Sequence, residues 1–163
     1  RKVVSLHRGG GLSKTLGITM STVQDKFKEL LKNSVAPVLR ENGLKGSGQA
    51  YSINSDEYWA LIGLQKSMYS DSQGLKFTIN IYVVSKQQWE EGREKHSYFP
   101  KKPSANTKWQ IGWSERIGNL MPNRRDFWWE LNNQTNESEL AQQIVEVILK
   151  YAVPAMQSKI QNA

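Results

Sequence analysis

The stretch Phe77-Thr78-Ile79-Asn80-Ile81-Tyr82-Val83 lies near the middle of a 163-residue chain and decides its fold class. Apolar side chains occupy every second position, and polar or amphipathic side chains stand between them. Successive side chains of a β-strand point to opposite faces of the sheet, so this pattern predicts a strand with one packed face and one solvated face. Such alternation is typical of an antiparallel sheet.

Further strands are predicted on both sides of this one. The segment 70–74 has turn-forming chemistry and joins the preceding strand to the central strand as a hairpin. A short polar helix is predicted at 87–95, within a long polar segment that runs from 86 to 108. The other four strands are predicted at residues 44–54, 58–69, 109–114 and 127–131.

An amphipathic helix is predicted at each end of the strand region. The first begins at a capping box formed by Ser21 and Gln24, is kinked by Pro37 and stops at Gly43. The second begins at Asn136, whose side chain caps its first turn. Strands grouped between two helices predict an α+β fold, with a mainly antiparallel sheet of about five strands and both helices packed on one face. That face is expected to carry Phe77, Ile79, Ile81 and Phe127.

Composition narrows the class of protein. The chain is 38% hydrophobic and 23% charged, which is typical of a globular domain. It has no cysteine, which excludes disulfides and thiolate chemistry and fits a cytoplasmic location. No apolar run approaches the roughly 18–20 residues that cross a bilayer, so no membrane contact is expected.

The net charge of +7 is unevenly distributed. Residues 1–20 hold four of the 22 basic residues and none of the 15 acidic residues, which leaves only +3 for the rest of the chain. That smaller value is ordinary for a protein surface and weakens a nucleic-acid interpretation of the whole charge.

The N-terminal residues 1–19 are expected to lie outside the fold, as added sequence or a poorly ordered extension. Met20 stands immediately before the predicted first helix, and residues 20–163 are expected to form a single α+β domain. Within the extension, residues 9–15 (Gly-Gly-Gly-Leu-Ser-Lys-Thr) superficially resemble a phosphate-binding loop. Ser13 stands where that motif needs a glycine, so nucleotide binding is not expected.

Four short segments carry a resemblance to a known family. In chain order they are Leu64-Gln65-Lys66-Ser67, Phe77-Thr78-Ile79-Asn80-Ile81, Trp128-Trp129-Glu130-Leu131 and Lys150-Tyr151-Ala152-Val153-Pro154. In this combination the chain resembles, over about residues 22 to 156, a bacterial family catalogued as domain of unknown function 4304. The resemblance implies a small α+β domain from a bacterial or phage-related setting. It implies no assigned activity and no catalytic residues.

The sheet face away from the helices is the candidate binding surface. Polar groups there are expected to converge around the indole of Trp128, a composition typical of a recognition surface. The alternative is that segment 86–108 folds over this face and buries it, with Arg116 and Glu130 as a structural ion pair. The candidate ligand-binding residues are Gln65, Asn80, Tyr82, Arg116, Trp128 and Glu130.

These residues favour a non-enzymatic binding module for a protein or a small ligand. One alternative is single-stranded nucleic-acid binding through loop 97–109 and Arg124–Arg125, where basic side chains stand beside aromatic ones. A further alternative is a hydrolase or transferase that uses Glu130, Glu115 or Tyr82 as acid or base.

No cofactor, metal site or catalytic residue is predicted. The glutamates of helix 87–95 alternate with basic residues, which is typical of a solvated helix face. His96 lies in a polar loop and has no second histidine in the domain with which to bind a metal ion.

Overall fold

The structure is a computed structural model that describes residues 22–68 and 70–163. The predicted extension 1–19, its phosphate-loop-like segment and Ser21 lie outside the described residues. The helices are α1 (Val23–Leu30), α2 (Ala36–Glu41), α3 (Lys86–Lys95), α4 (Glu137–Val147) and α5 (Val153–Gln161). The strands are β1 (Lys45–Ser47), β2 (Ala50–Ser52), β3 (Tyr58–Lys66), β4 (Gly74–Ser85), β5 (Trp113–Arg116) and β6 (Trp129–Asn132).

The strands form one antiparallel sheet, which together with the N- and C-terminal helices confirms the predicted α+β class. β1, β2, β3 and β4 follow one another as a meander. β5 and β6 both pair with the remaining edge of β4, β5 along Asn80–Val83 and β6 along Gly74–Phe77. Between these two stretches Thr78 and Ile79 pair with neither strand. We call this interval the edge break.

The predicted strands differ from the structure in their bounds. The strand predicted at 58–69 ends at Lys66, and the central strand extends from Gly74 to Ser85. The predicted strand 44–54 is a hairpin of two short strands, and the positive φ of Gly48 (58°) lies in its turn. The predicted strand 109–114 begins only at Trp113, because Gly112 before it has a φ of 83°, which is incompatible with a strand. The last strand begins at Trp129, so Phe127 precedes it.

Two long helices flank the strand region: α1 continues through a π-helical turn into α2, and α4 continues through another into α5. The first long helix begins one residue later than predicted. The capping box consists of Thr22 and Asp25, with the backbone N–H of Asp25 donating to Oγ1 of Thr22 at 3.1 Å and that of Thr22 donating to Oδ2 of Asp25 at 3.3 Å. The predicted stop at Gly43 is confirmed, since its φ is 89°. The backbone N–H of Leu44 bonds back to the carbonyl of Leu39 at 3.1 Å, as expected of a Schellman motif. The predicted cap of the last long helix is also confirmed, because Asn136 accepts from the backbone of Glu139 at 3.1 Å.

Each long helix contains a π-helical turn that ends two residues before a proline. The turns are Leu31–Val35, between α1 and α2, and Ile148–Ala152, between α4 and α5. Pro37 and Pro154 each follow two residues after the turn ends. A proline has no N–H and its ring crowds the carbonyl four residues earlier, so widening the preceding turn relieves both problems.

The main core lies between the helices and one sheet face, as predicted. Phe77, Ile79 and Ile81 are fully buried there against apolar residues of both long helices. Phe127 was expected on this face, and that prediction is wrong: its side chain is 40% exposed. It lies before β6, and its ring forms a T-shaped contact with the Trp129 ring, with centroids 4.7 Å apart.

A second core covers part of the opposite sheet face. Trp89 of α3 is fully buried, stacks on Phe99 with ring centroids 4.6 Å apart, and donates its indole N–H to the carbonyl of Pro100 at 3.1 Å. Trp109 meets the Trp89 ring edge-on at 4.9 Å. The segment that follows β4 therefore folds back over the sheet, which was the alternative to an open face. The buried members of this second core are Leu61, Tyr82, Val84, Trp89, Phe99 and Ala105.

No helix within residues 22–68 or 70–163 combines the length and apolar character required to cross a bilayer.

Candidate functional site

The second core divides the predicted binding face into a covered part and an uncovered part. Gln65, Asn80 and Arg116 lie in the uncovered part and come together beside the edge break. Trp128 is next to them and is partly exposed. Tyr82 and Glu130 do not join this group.

The uncovered part contains a cleft of about 340 Å³, which we call the edge cleft. It opens where β5 ends, and the loop 104–108 forms its far wall. Its polar side chains include Gln65, Asn80, Asn106, Glu115, Arg116 and Asp126.

Asn80 is the central residue of the hydrogen-bond network in the edge cleft. Its Nδ2 donates to Oε1 of Gln65 at 2.6 Å and to Oδ1 of Asn106 at 3.0 Å. Its Oδ1 accepts from Nε of Arg116 at 3.2 Å. Asn106 in turn donates to the backbone carbonyl of Leu64 at 3.1 Å. One carboxamide therefore ties β3, β4, β5 and the loop 104–108 together.

Asp126 holds the other end of the Arg116 side chain. Nη1 of Arg116 lies 3.1 Å and 3.3 Å from the two carboxylate oxygens of Asp126. The indole N–H of Trp128 donates to the same carboxylate at 3.0 Å, and the guanidinium carbon lies 5.2 Å from the Trp128 ring centre. Arg116 is thus fixed by an amide oxygen, a carboxylate and an aromatic face.

The prediction of an ion pair between Arg116 and Glu130 is wrong, because Arg116 pairs with Asp126 instead. Glu130 is opposite Lys76 in the β4–β6 register, whereas Arg116 is opposite Asn80. Four residues along β4 separate the two by about 14 Å, beyond the reach of a salt bridge. Glu130 instead accepts from Nδ2 of Asn132 at 3.2 Å.

Tyr82 was expected on an open face, and its ring is enclosed instead. It is 1% exposed, and its hydroxyl donates to the carbonyl of Ile111 at 2.7 Å. Burial raises the pKa of Tyr82 to about 12. The backbone of Gly112 lies against the ring so closely that a Cβ at this position would meet it. Tyr82 therefore anchors the covering segment, which is the part of the chain after β4 that folds back over the sheet.

Asn106 and Asp126 are the main cleft residues that sequence analysis missed. Both lie in loops, where periodicity gives no information about direction. Gly63 is the sequence feature that could have indicated the contact with Asn106. It lies within a strand, opposite Asn80 in the β3–β4 register. A Cβ on Gly63 would lie 2.8 Å from Cγ of Asn106. A glycine inside a strand often marks such a close approach.

Within the described part of the chain, no three His, Cys, Asp or Glu side chains are grouped in a way that could hold a metal ion. The ring of His96 packs near those of Tyr98 and Phe99, with centroids 5.4 Å and 5.1 Å away. The carboxylate of Glu115, which lines the edge cleft, accepts from Nδ2 of Asn119 at 2.7 Å.

The fold and its cleft define a small α+β domain with a polar site at a discontinuity in the sheet edge. Comparison with protein families matches residues 35–158 to the model described as domain of unknown function (DUF4304), and the chain belongs to this family. The matched region contains the whole sheet and the edge cleft. No curated protein and no solved structure matches the chain.

Proposed function

We propose that this chain is a non-enzymatic binding module that holds a polar segment of a partner protein in the edge cleft. The observation that carries the proposal is the fixed position of Arg116, held by Asn80 and Asp126 against the ring of Trp128. A side chain that its neighbours already hold in one position loses little conformational entropy when a ligand binds. A recognition site requires groups that are pre-organised in this way.

The charges around the edge cleft support a ligand that is polar but not strongly charged. Lys108 and Arg116 contribute two positive charges, and Glu115 and Asp126 contribute two negative charges. Carboxamides supply both donors and acceptors, which match the N–H and C=O groups of an extended peptide. A small ligand with the same mixture of donors and acceptors would use the same groups.

Unused hydrogen-bonding capacity in the edge cleft supports the same proposal. The carboxamide of Gln65 uses its oxygen to accept from Asn80, and its Nε2 makes no hydrogen bond with any other described residue. Ser114 and Lys108 likewise have side-chain donors with no partner in the described part of the chain. These donors are available to carbonyl groups of a ligand.

The positions of Glu115, Glu130 and Tyr82 favour binding over a hydrolase or transferase. Glu115 is opposite Ile81 in the sheet and Glu130 is opposite Lys76, so about 17 Å of strand separates the two carboxylates. Tyr82 is enclosed in the second core. Acid–base catalysis needs its groups within hydrogen-bond reach of one substrate, and these three groups do not converge on one point.

Single-stranded nucleic-acid binding through loop 97–109 receives less support. Phe99 is buried against Trp89, and Trp109 is partly buried with its ring packed on Trp89, which leaves Tyr98, 58% exposed beside the exposed Lys101, as the most accessible aromatic ring of the loop. Titration with a labelled oligothymidine tests this function. Affinity that falls steeply with salt and is lost in Tyr98→Ala would favour it over the edge cleft.

A cytoplasmic setting, in a bacterium or a phage-related system, belongs to the same proposal. The absence of cysteine from the sequence supports its cytoplasmic part.

Selection of peptides from a random display library against the full chain tests the main proposal. Enriched peptides are labelled, and their affinities are compared between the wild type, Arg116→Ala and Arg125→Ala. Arg125 is an exposed arginine close in sequence, and it does not line the cleft. We expect Arg116→Ala to weaken binding by about tenfold or more and Arg125→Ala to leave it within about twofold. Equal affinities for the wild type and Arg116→Ala would remove the edge cleft as the binding site.

A further inference from the structure

A second concave surface lies on the other side of the molecule, between the two long helices. We call it the helix groove. Its volume is about 510 Å³, and its walls are α1 with the following π-helical turn on one side and α4 on the other. None of its residues lines the edge cleft.

The helix groove has an apolar floor. Leu30 and Ala141 are buried at its base, and Val145 is partly exposed along α4. Val38 is 36% exposed, and it is one of only four large hydrophobic side chains in the described residues that are this exposed. Val38 and Val145 are therefore the apolar side chains of the groove that remain at least partly uncovered and that a partner could cover.

The rim of the helix groove is acidic. Glu29, Glu137 and Glu146 line it, and no Lys or Arg does so within the described residues. The whole chain has a net charge of +7, so this local sign is opposite to that of the protein. An acidic rim attracts basic side chains of a partner and repels acidic ones.

The groove walls have the periodicity of two helix faces. Glu137, Ala141 and Val145 follow one another at intervals of four residues along α4, which gives a wall about 12 Å long. On the opposite wall Asn33 donates from Nδ2 to the carboxylate of Glu29 at 2.9 Å, also one turn apart. Ridges at this spacing accept the side chains of a third helix packed into the space between them.

We infer that the helix groove docks an amphipathic helix of a partner protein, with aliphatic side chains against the floor and Lys or Arg side chains along the acidic rim. This surface is separate from the edge cleft, so the domain has two faces through which it can contact other proteins. The mode is that of an apolar helix face laid into a groove, anchored by residues three and four positions apart.

Two synthetic helical peptides test this inference against the full chain. Both carry leucines at positions i, i+3, i+4 and i+7, and their polar faces are lysine-rich in one and glutamate-rich in the other. Fluorescence anisotropy measures their affinities for the wild type, Glu29→Lys/Glu146→Lys, and the matched double variant Glu41→Lys/Glu94→Lys. Glu41 and Glu94 are exposed and do not line the groove.

Of the two peptides, we expect only the lysine-rich one to bind, and its affinity should fall at high salt. The groove variant, Glu29→Lys/Glu146→Lys, should reduce that affinity by about tenfold or more. The matched variant should keep the affinity within about twofold. Val38→Ser should also weaken binding, whereas Met68→Ser, at an exposed position elsewhere, should not. Equal binding of both peptides, no binding of either, or equal losses in the two double variants would overturn the inference. Self-association of the wild type that Val38→Ser abolishes would also overturn it, because a second copy of the chain would then occupy the groove.

Discussion

Arg116 and Asn80 are opposite each other in the β4–β5 register, and Nε of Arg116 donates to Oδ1 of Asn80 at 3.2 Å. This bond joins the last residue of an edge strand to the central residue of the cleft network. Because β5 ends here and β6 starts further along the same edge of β4, Arg116 lies at the edge break. The discontinuity of the sheet and the polar site are therefore two aspects of one feature.

The contact between Asp126 and the Trp128 indole gives a direct spectroscopic test of the cleft. Asp126→Asn removes the charge that holds both Arg116 and the indole N–H. We expect the Trp128 indole N–H resonance to shift, while the free energy of unfolding falls by no more than about 1 kcal/mol because the pair is exposed. Two-dimensional NMR of ¹⁵N-labelled protein measures the shift, and the resonance is assigned by its absence in Trp128→Phe.

Asp56→Asn is the matched control for this prediction, since Asp56 is exposed and lies outside the cleft. It makes the same change of charge. An indole resonance that stays in place in Asp126→Asn, or moves equally in both variants, would contradict the bond between Trp128 and Asp126.

Gly63 makes room for Asn106, and a methyl group there should disrupt the network. The Cβ of an alanine would lie 2.8 Å from Cγ of Asn106, so the loop 104–108 must move away from β3. We expect Gly63→Ala to lower the free energy of unfolding by about 1–3 kcal/mol, as overpacking usually does. Urea unfolding followed by circular dichroism measures the change.

Gly74→Ala provides the comparison, because Gly74 also lies in a strand but a Cβ there would meet nothing within 4 Å. Its effect should remain within about 0.5 kcal/mol, the usual range for an unobstructed surface position. Similar losses in the two variants would mean that Asn106 does not pack against Gly63.

The sheet and its packed face could be predicted from sequence, because the direction of each side chain depends only on its position along its own strand. Phe77, Ile79 and Ile81 are on the same face by the geometry of a strand, and all three lie in the main core. The α+β class follows, since both long helices have an apolar stripe that only this face can cover.

The uncovered part of the opposite face could not be predicted in the same way. Asn80 and Tyr82 share that face by alternation, yet Asn80 lines a cleft and Tyr82 is buried. The difference depends on where Phe99 and Trp109 pack, and they belong to a segment without regular spacing. Asp126 is determined by long-range contacts as well, because it reaches Arg116 from the loop before β6. Periodicity cannot reveal contacts between an irregular loop and a sheet.

Phe99 and Tyr98 are adjacent in sequence, but only Phe99 belongs to the second core. Replacing each by alanine should therefore change the free energy of unfolding by different amounts. Phe99 is 5% exposed and stacks on Trp89, whereas Tyr98 beside it is mainly exposed. We expect Phe99→Ala to lower the free energy of unfolding by about 3 kcal/mol or more, which is typical of removing a buried ring. Tyr98→Ala should change it by less than about 1 kcal/mol. Thermal or urea unfolding of the two variants measures the difference.

Hydrogen exchange locates the consequence of losing the Phe99 ring. Backbone amides of residues 96–112 should exchange faster in Phe99→Ala, while those of the main core strand β4 keep their protection. Equal destabilisation by the two alanine variants, or faster exchange throughout β4, would show that the covering segment is not held by a separate core.

Two buried tyrosines make the stability depend on alkaline pH. Burial raises the pKa values of both Tyr51 and Tyr82 to about 12, with Arg40 partly opposing the rise at Tyr51. Above pH 10 the unfolded chain releases these two protons while the native state keeps them. The unfolded state then binds fewer protons, so the free energy of unfolding falls as the pH rises from about 10 to about 12. The slope approaches about 1.4 kcal/mol per pH unit for each tyrosine.

Replacing each tyrosine by phenylalanine separates this titration from the hydrogen bonds. Tyr82→Phe loses the bond to the Ile111 carbonyl, which costs about 1 kcal/mol at pH 7, whereas the buried Tyr51 hydroxyl has no partner among the described residues, so Tyr51→Phe should be neutral or stabilising. Both variants should reduce the alkaline slope despite these different effects at neutral pH. Urea unfolding at a series of pH values from 7 to 12 measures both quantities. A double variant with the wild-type slope would show that neither phenol is kept protonated by the fold.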